Sequence, residues 1–138
     1  MSKIVAIDYG LKRCGVAETD SLQMMAFGLT AVDTPQVILF TEKYILQENP
    51  EKLIIGLPLN LQGNLNEIES EIQKFIHTIQ NKFPTLQIVR IDERFTSKLA
   101  TKSLLEMGKK KKQRQNKYLI DEVSATLILR TYLEQKNN

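Results

Sequence analysis

The order of extended and helical stretches constrains this chain most: three short strands come first, helix and strand then alternate, and two helices close the sequence. The first β-branched run, Lys3 to Asp8, ends at Tyr9-Gly10, and a second from Cys14 to Glu18 follows a glycine-flanked turn, as in a hairpin. Met24 to Val32 reads as a third strand. Pro35 opens a helix carrying Val37, Phe40 and Tyr44, which stops at Asn49-Pro50. Leu53-Ile54-Ile55-Gly56 is apolar on both sides of the chain, so helices must cover both faces of the sheet that holds it. The next helix has the clearest period, with Ile68, Ile72, Phe75, Ile76 and Ile79 on one stripe and His77 on the polar side, a solvated imidazole rather than a ligand. Leu86 to Ile91 makes the fifth strand. A helix over 97–107 stops at Gly108, and a last helix over 118–134 follows a basic loop. The expected fold class is α/β, a mixed five-stranded sheet begun by an antiparallel meander and finished by parallel crossovers, flanked by helices.

At 138 residues, without repeat or linker, residues 1–138 read as one domain. No stretch approaches the roughly 18 apolar residues of a membrane span, and the N-terminus leads straight into a strand, so the expectation is a cytoplasmic protein with no membrane partner. Cys14 is the only cysteine and reads as core. The net charge of +3 is concentrated: Lys109, Lys110, Lys111, Lys112, Arg114 and Lys117 fall within nine residues. Removing those six from the 19 basic residues leaves 13 against 16 acidic ones. Such a block repels itself when packed and is expected as a mobile loop, either a solubilising run or a grip on a polyanion.

Three acids close different elements: Asp8 ends the first strand, Glu93 the fifth, and Asp121 opens the last helix. Open α/β sheets place their sites at such ends. Asp8 shares a face with Ile4 and Ala6, where a charge is expensive unless it is partnered by turn amides or by a cation. Glycines at 10 and 15 leave room above it for a phosphate, with Arg13 between them. Asp121, Ala125, Ile128 and Tyr132 form a stripe facing the sheet, and an acid near a helix start also complements the helix dipole. Taken together, three carboxylates suit Mg2+, with Mn2+ as a substitute, beside a phosphodiester. Arg94 and Thr96, just past Glu93, are candidate phosphate contacts.

Asp8-Tyr9-Gly10 with Arg13, Gly15, Val16 and Ala17; Gly56-Leu57-Pro58 with Gly63; Asp92-Glu93-Arg94 with Thr96; and Asp121 with Ala125 together resemble the YqgF (RuvX) family along the whole chain. The resemblance implies an RNase H-like fold related to RuvC Holliday-junction resolvases, and a nuclease maturing the 5′ end of pre-16S ribosomal RNA. It implies that Asp8, Glu93 and Asp121 are the metal-binding catalytic acids, that Arg13, Arg94 and Thr96 lie near substrate, and that the lysine-rich segment is the family's basic stretch. Two positions depart from pattern. Ser124 stands where alanine is usual, and Gly56 stands where RuvC-type resolvases carry an acid, so Glu93 must supply that ligand from the neighbouring strand.

The expected partner is structured RNA, pre-16S rRNA or a pre-ribosomal particle, or else branched DNA, bound by a monomer or weak homodimer. A junction resolvase needs a dimer to cut symmetric strands. A non-catalytic ribosome-assembly factor would bind RNA without metal. Sugar-kinase and actin ATPases share an Asp-x-Gly hairpin but need a second phosphate loop, for which this chain has no room.

Overall fold

A computed structural model describes residues 2–60, 62–93 and 113–137, with the backbone alone for 113–116. Five strands, β1 (Ile4–Tyr9), β2 (Arg13–Thr19), β3 (Ala26–Asp33), β4 (Lys52–Leu57) and β5 (Gln87–Asp92), form one sheet in the order β3-β2-β1-β4-β5. β1 pairs antiparallel with β2, and β2 with β3, while β4 runs parallel to both β1 and β5. The expected meander followed by parallel crossovers is the observed topology.

One 3-10 turn at Thr34–Gln36, with Pro35 pre-setting its backbone, leads into α1 (Val37–Glu48), which ends where Asn49 turns left-handed at φ 46°. α2 (Glu69–Lys82) buries Ile72, Phe75, Ile76 and Ile79, while His77 is exposed. These two helices cover one face of the sheet, packing against Val5, Ile7, Cys14, Val16, Leu53 and Ile55. Strand alternation sends the other set of side chains, Ile4, Ala6, Ala17, Ile54 and Ile91, to the opposite face, where a single helix α3 (Gln113–Lys136) packs Ala125, Ile128, Leu129, Tyr132 and Leu133 on them. β4 is fully buried over Leu53 to Gly56, as its composition requires.

α3 is already helical at Gln113, five residues before the expected start. Arg114 and Lys117 therefore belong to helix backbone rather than to a loop; Gln, Arg and Lys are good helix formers, and lysines on a solvated face do not repel enough to unwind it. The same correction moves Asp121. It lies eight residues past Gln113, more than two turns inside the helix, so the dipole at the helix start does not account for it. The helix expected over 97–107 and residues Arg94, Thr96, Lys109, Lys110, Lys111 and Lys112 lie outside the described residues, as does the Arg114 side chain. Among the described residues, no helix is long and apolar enough to cross a membrane.

Candidate active site

Asp8 and Glu93 meet on the α3 face of the sheet. Asp8 occupies the last turn of the apolar row that begins at Ile4, and Glu93 follows β5 on the row of Val89 and Ile91. The backbone N–H of Glu93 donates to the Leu57 carbonyl at 3.1 Å, which continues the β4–β5 pairing one residue beyond the strand. β4 lies between the two acids and ends in Gly56. A Cβ on Gly56 would sit 2.3 Å from the carboxyl carbon of Glu93, so the Glu93 carboxyl occupies the space a side chain would take. This is the physical content of the glycine at that strand end: the space a β4 side chain would take is filled by a carboxyl reaching over it from β5.

The two carboxyls hydrogen-bond to each other. Protein atoms crowd both, and this desolvation raises the pKa of Asp8; for Glu93, burial and then the hydrogen bond to Asp8 push it up to about 10. At neutral pH Glu93 therefore keeps its proton and donates it to the Asp8 carboxyl. Turn amides, the alternative partner for Asp8, are not what holds it.

Asp121 belongs to the same face but looks elsewhere. Arg13 Nε donates to its Oδ2 at 2.8 Å. Burial raises the Asp121 pKa, the Arg13 hydrogen bond and charge oppose this, and the charge of Asp8 adds to it. Arg13 thus pairs with Asp121 rather than standing free above Asp8. Gly15, opposite Asp8 in the β1–β2 register, has a role different from the expected one: a Cβ there would lie 1.8 Å from the Asp121 carbonyl oxygen. The room over Gly15 is filled by the α3 backbone and holds no phosphate. Buried Ser124 and Ala125 allow the same close approach from the helix side.

Two residues in this region had not been singled out from the sequence. Arg90, on β5, donates from Nη1 and Nη2 to the two oxygens of Glu69 at 2.8 and 2.7 Å, and also to the carbonyls of Gly56 at 2.9 Å and Ile55 at 3.3 Å. It ties the end of β4, under the acid pair, to the first turn of α2; a lone arginine inside an otherwise apolar strand was the available signal. Tyr118, one turn before Asp121 on α3, carries Arg13 5.5 Å from its ring centroid. Cys14 is fully buried, its thiol pKa pushed up by burial, in keeping with a core residue. The cavity of about 740 Å³ lined by Met24, Met25 and Leu133 lies at the opposite end of the sheet from the acids.

The donor set fits a divalent cation in part. Among the described residues, no three acids, histidines or thiols converge closely enough to hold a metal ion. Two do: Asp8 and Glu93 form an all-oxygen pair whose raised proton affinity marks a place where negative charge is costly, the electrostatic condition a hard cation relieves.

A sequence profile described as RuvX, Holliday junction resolvase, matches residues 2–135. The chain belongs to the RuvX family. It is 50% identical over 136 residues to a protein of Bacteroides thetaiotaomicron, covering 99% of both chains, and 48% identical over 136 residues to one of Bacteroides fragilis, again covering 99% of each. A Flavobacterium johnsoniae relative is 46% identical over the same length. All three RuvX-type relatives carry the name "Putative pre-16S rRNA nuclease". In fold the chain is similar to Thermus thermophilus RuvC solved with a Holliday junction substrate, at TM-score 0.61 and 13% identity, covering 99% of this chain and 97% of that one. The RNase H-like architecture inferred for RuvX proteins from their motifs is thus the architecture of this chain.

Proposed function

We propose that this protein is a metal-dependent nuclease that hydrolyses phosphodiester bonds in structured RNA and matures the 5′ end of pre-16S rRNA, with residues 1–138 acting as one catalytic unit. The observation that carries the reading is the Asp8–Glu93 carboxyl pair, seated over Gly56 at the sheet end, in a chain half identical to relatives named for that activity.

Asp8 and Glu93 would hold magnesium or manganese, with Asp121 beside them. When bound, such ions supply an activated water and neutralise the charge that grows on the phosphate. The protein's own residues do the rest. Burial keeps the pair short of solvent, so its charge is felt strongly by anything that displaces the shared proton. Arg90 fixes the β4 end from which Glu93 is measured, and the Arg13 guanidinium offers a substrate phosphate the donors that Asp121 leaves unused. Arg94 and Thr96, with Lys109, Lys110, Lys111, Lys112, Arg114 and exposed Lys117, are assigned to the nucleic-acid backbone; neutralising five or six phosphates gives a log-log salt slope of about −4 to −5 on duplex-like substrates. Phosphate contacts carry no base information, so recognition of the rRNA end rests on its shape or on a ribosomal partner.

The test incubates the protein and an Asp8→Asn variant with end-labelled pre-16S 5′-region RNA, free and within pre-ribosomal particles, and with a four-way DNA junction. Magnesium, manganese or chelator is present in turn. Metal-dependent RNA cleavage absent from the variant is the expected result. Junction-selective cutting would assign a resolvase, and metal-independent binding without cleavage would assign an assembly factor.

A further inference from the structure

Arg13 sits in a setting that the acid pair does not explain. Its Nε is held by Asp121, its guanidinium lies against the ring of Tyr118, and its strand partner Asp33 accepts a hydrogen bond from Tyr118 Oη at 2.9 Å. Tyr118 is therefore fixed at both ends, hydroxyl to β3 and ring to β2. Yet its ring is open: Tyr118 is 44% exposed, whereas Tyr44 and Tyr132 are each 8% exposed and Tyr9 packs on Phe75. Among the described residues, the Arg13 guanidinium meets no acceptor but Asp121, so its terminal nitrogens remain available. An immobilised, solvent-facing aromatic beside an arginine, one helical turn from an acid of the candidate site, is the composition of a stacking platform whose ordering cost is already met by the fold.

We propose that Tyr118 and Arg13 form a subsite for an unpaired nucleotide adjoining the reacting phosphate, the base stacking on the Tyr118 ring and the Arg13 terminal nitrogens taking its phosphate. The inference rests on the nuclease reading for its placement and goes beyond it in specifying the substrate: a base inside a duplex is stacked on its neighbours, so the subsite favours a single-stranded segment beside the cut. Stacking is tolerant of sequence because every base has a π-face.

The experiment measures binding in chelator, where nothing is cut. An oligoadenylate strand is compared with a strand of equal length whose sugars carry no bases, for the wild type, Tyr118→Leu and Tyr118→Phe, each checked by thermal unfolding. Tyr118→Leu is expected to bind oligoadenylate at least about fivefold more weakly and the baseless strand unchanged, with Tyr118→Phe restoring the wild-type difference. Equal loss on both strands, or no loss on oligoadenylate, overturns the subsite. Failure of the two readings is separable. A protein that binds bases through Tyr118 but cuts no nucleic acid in magnesium or manganese retires the nuclease reading and leaves the subsite standing. A protein that cuts, while Tyr118→Leu leaves base-dependent binding intact, retires the subsite alone.

Discussion

The two faces of the sheet solve different problems. The α1–α2 face is filled by large apolar side chains, Ile7, Ile55, Ile72, Phe75 and Ile79 among them, and its helices stand off at the distance those side chains set. The α3 face also buries large residues, Ile4, Ile54, Ile128 and Leu129, but toward the acids it turns small, with Ser124, Ala125 and glycines at 15 and 56, so the α3 backbone comes down onto β2 there. Close approach is what brings acids from β1, β5 and α3 to the same end of the sheet. Thus both faces hold the fold, while the second also carries the candidate site.

That contrast breaks most sharply at Asp8. Asp8→Asn is expected to remove several kcal/mol of transition-state stabilisation, about a thousandfold in cleavage rate, while thermal unfolding of the metal-free protein shows little loss, because an amide of the same shape still accepts the Glu93 hydrogen bond. Unfolding of the variant would place Asp8 in the structural class with the other face. Phe75→Ala reverses the pattern: about 3–5 kcal/mol of stability is lost in denaturant titration, with turnover per folded molecule preserved. Gly56→Ala tests both at once. Its Cβ must displace the Glu93 carboxyl, so cleavage should fall as it does in Glu93→Gln, alongside about 1–3 kcal/mol of overpacking cost.

The α3 face should also show a pH signature. Glu93 titrates near 4.5 when unfolded and at about 10 when folded, so between those values the folded chain binds more protons than the unfolded one. Metal-free stability should therefore be greatest toward pH 4.5 and fall as pH rises to about 10, the opposite of a salt-bridged carboxylate. Melting temperatures across that window should show the decline. Glu93→Gln should flatten it, and added magnesium should oppose it increasingly at high pH, since the pair must release its proton to take a cation.

How much of this could be read beforehand differed by element. The α2 stripe and the buried β4 were legible because each pattern is local: apolar spacing over four turns, or a run of β-branched residues, admits one structure. The start of α3 was not, since charge density suggested a loop while intrinsic helix propensity and packing of Ala125 and Ile128 prevailed. Asp8 and Glu93, read from the sequence as strand-end acids, lie together and hydrogen-bond to each other. That Arg13 bonds Asp121 was not legible, because side-chain direction depends on how near the helix lies.

The sequence by itself determined the alternation of elements, the two burial faces of each strand and the positions of the acids along them, since these follow from periods of 2 and 3.6 that neighbouring residues impose. Only the tertiary structure decided that the Glu93 carboxyl fills the void of Gly56, that Gly15 admits a helix backbone rather than a phosphate, and that Tyr118, Asp33, Arg13 and Asp121 form one chain of contacts. Those contacts join residues as many as 108 positions apart, and no local period encodes which distant side chain will occupy a space that a missing Cβ leaves open.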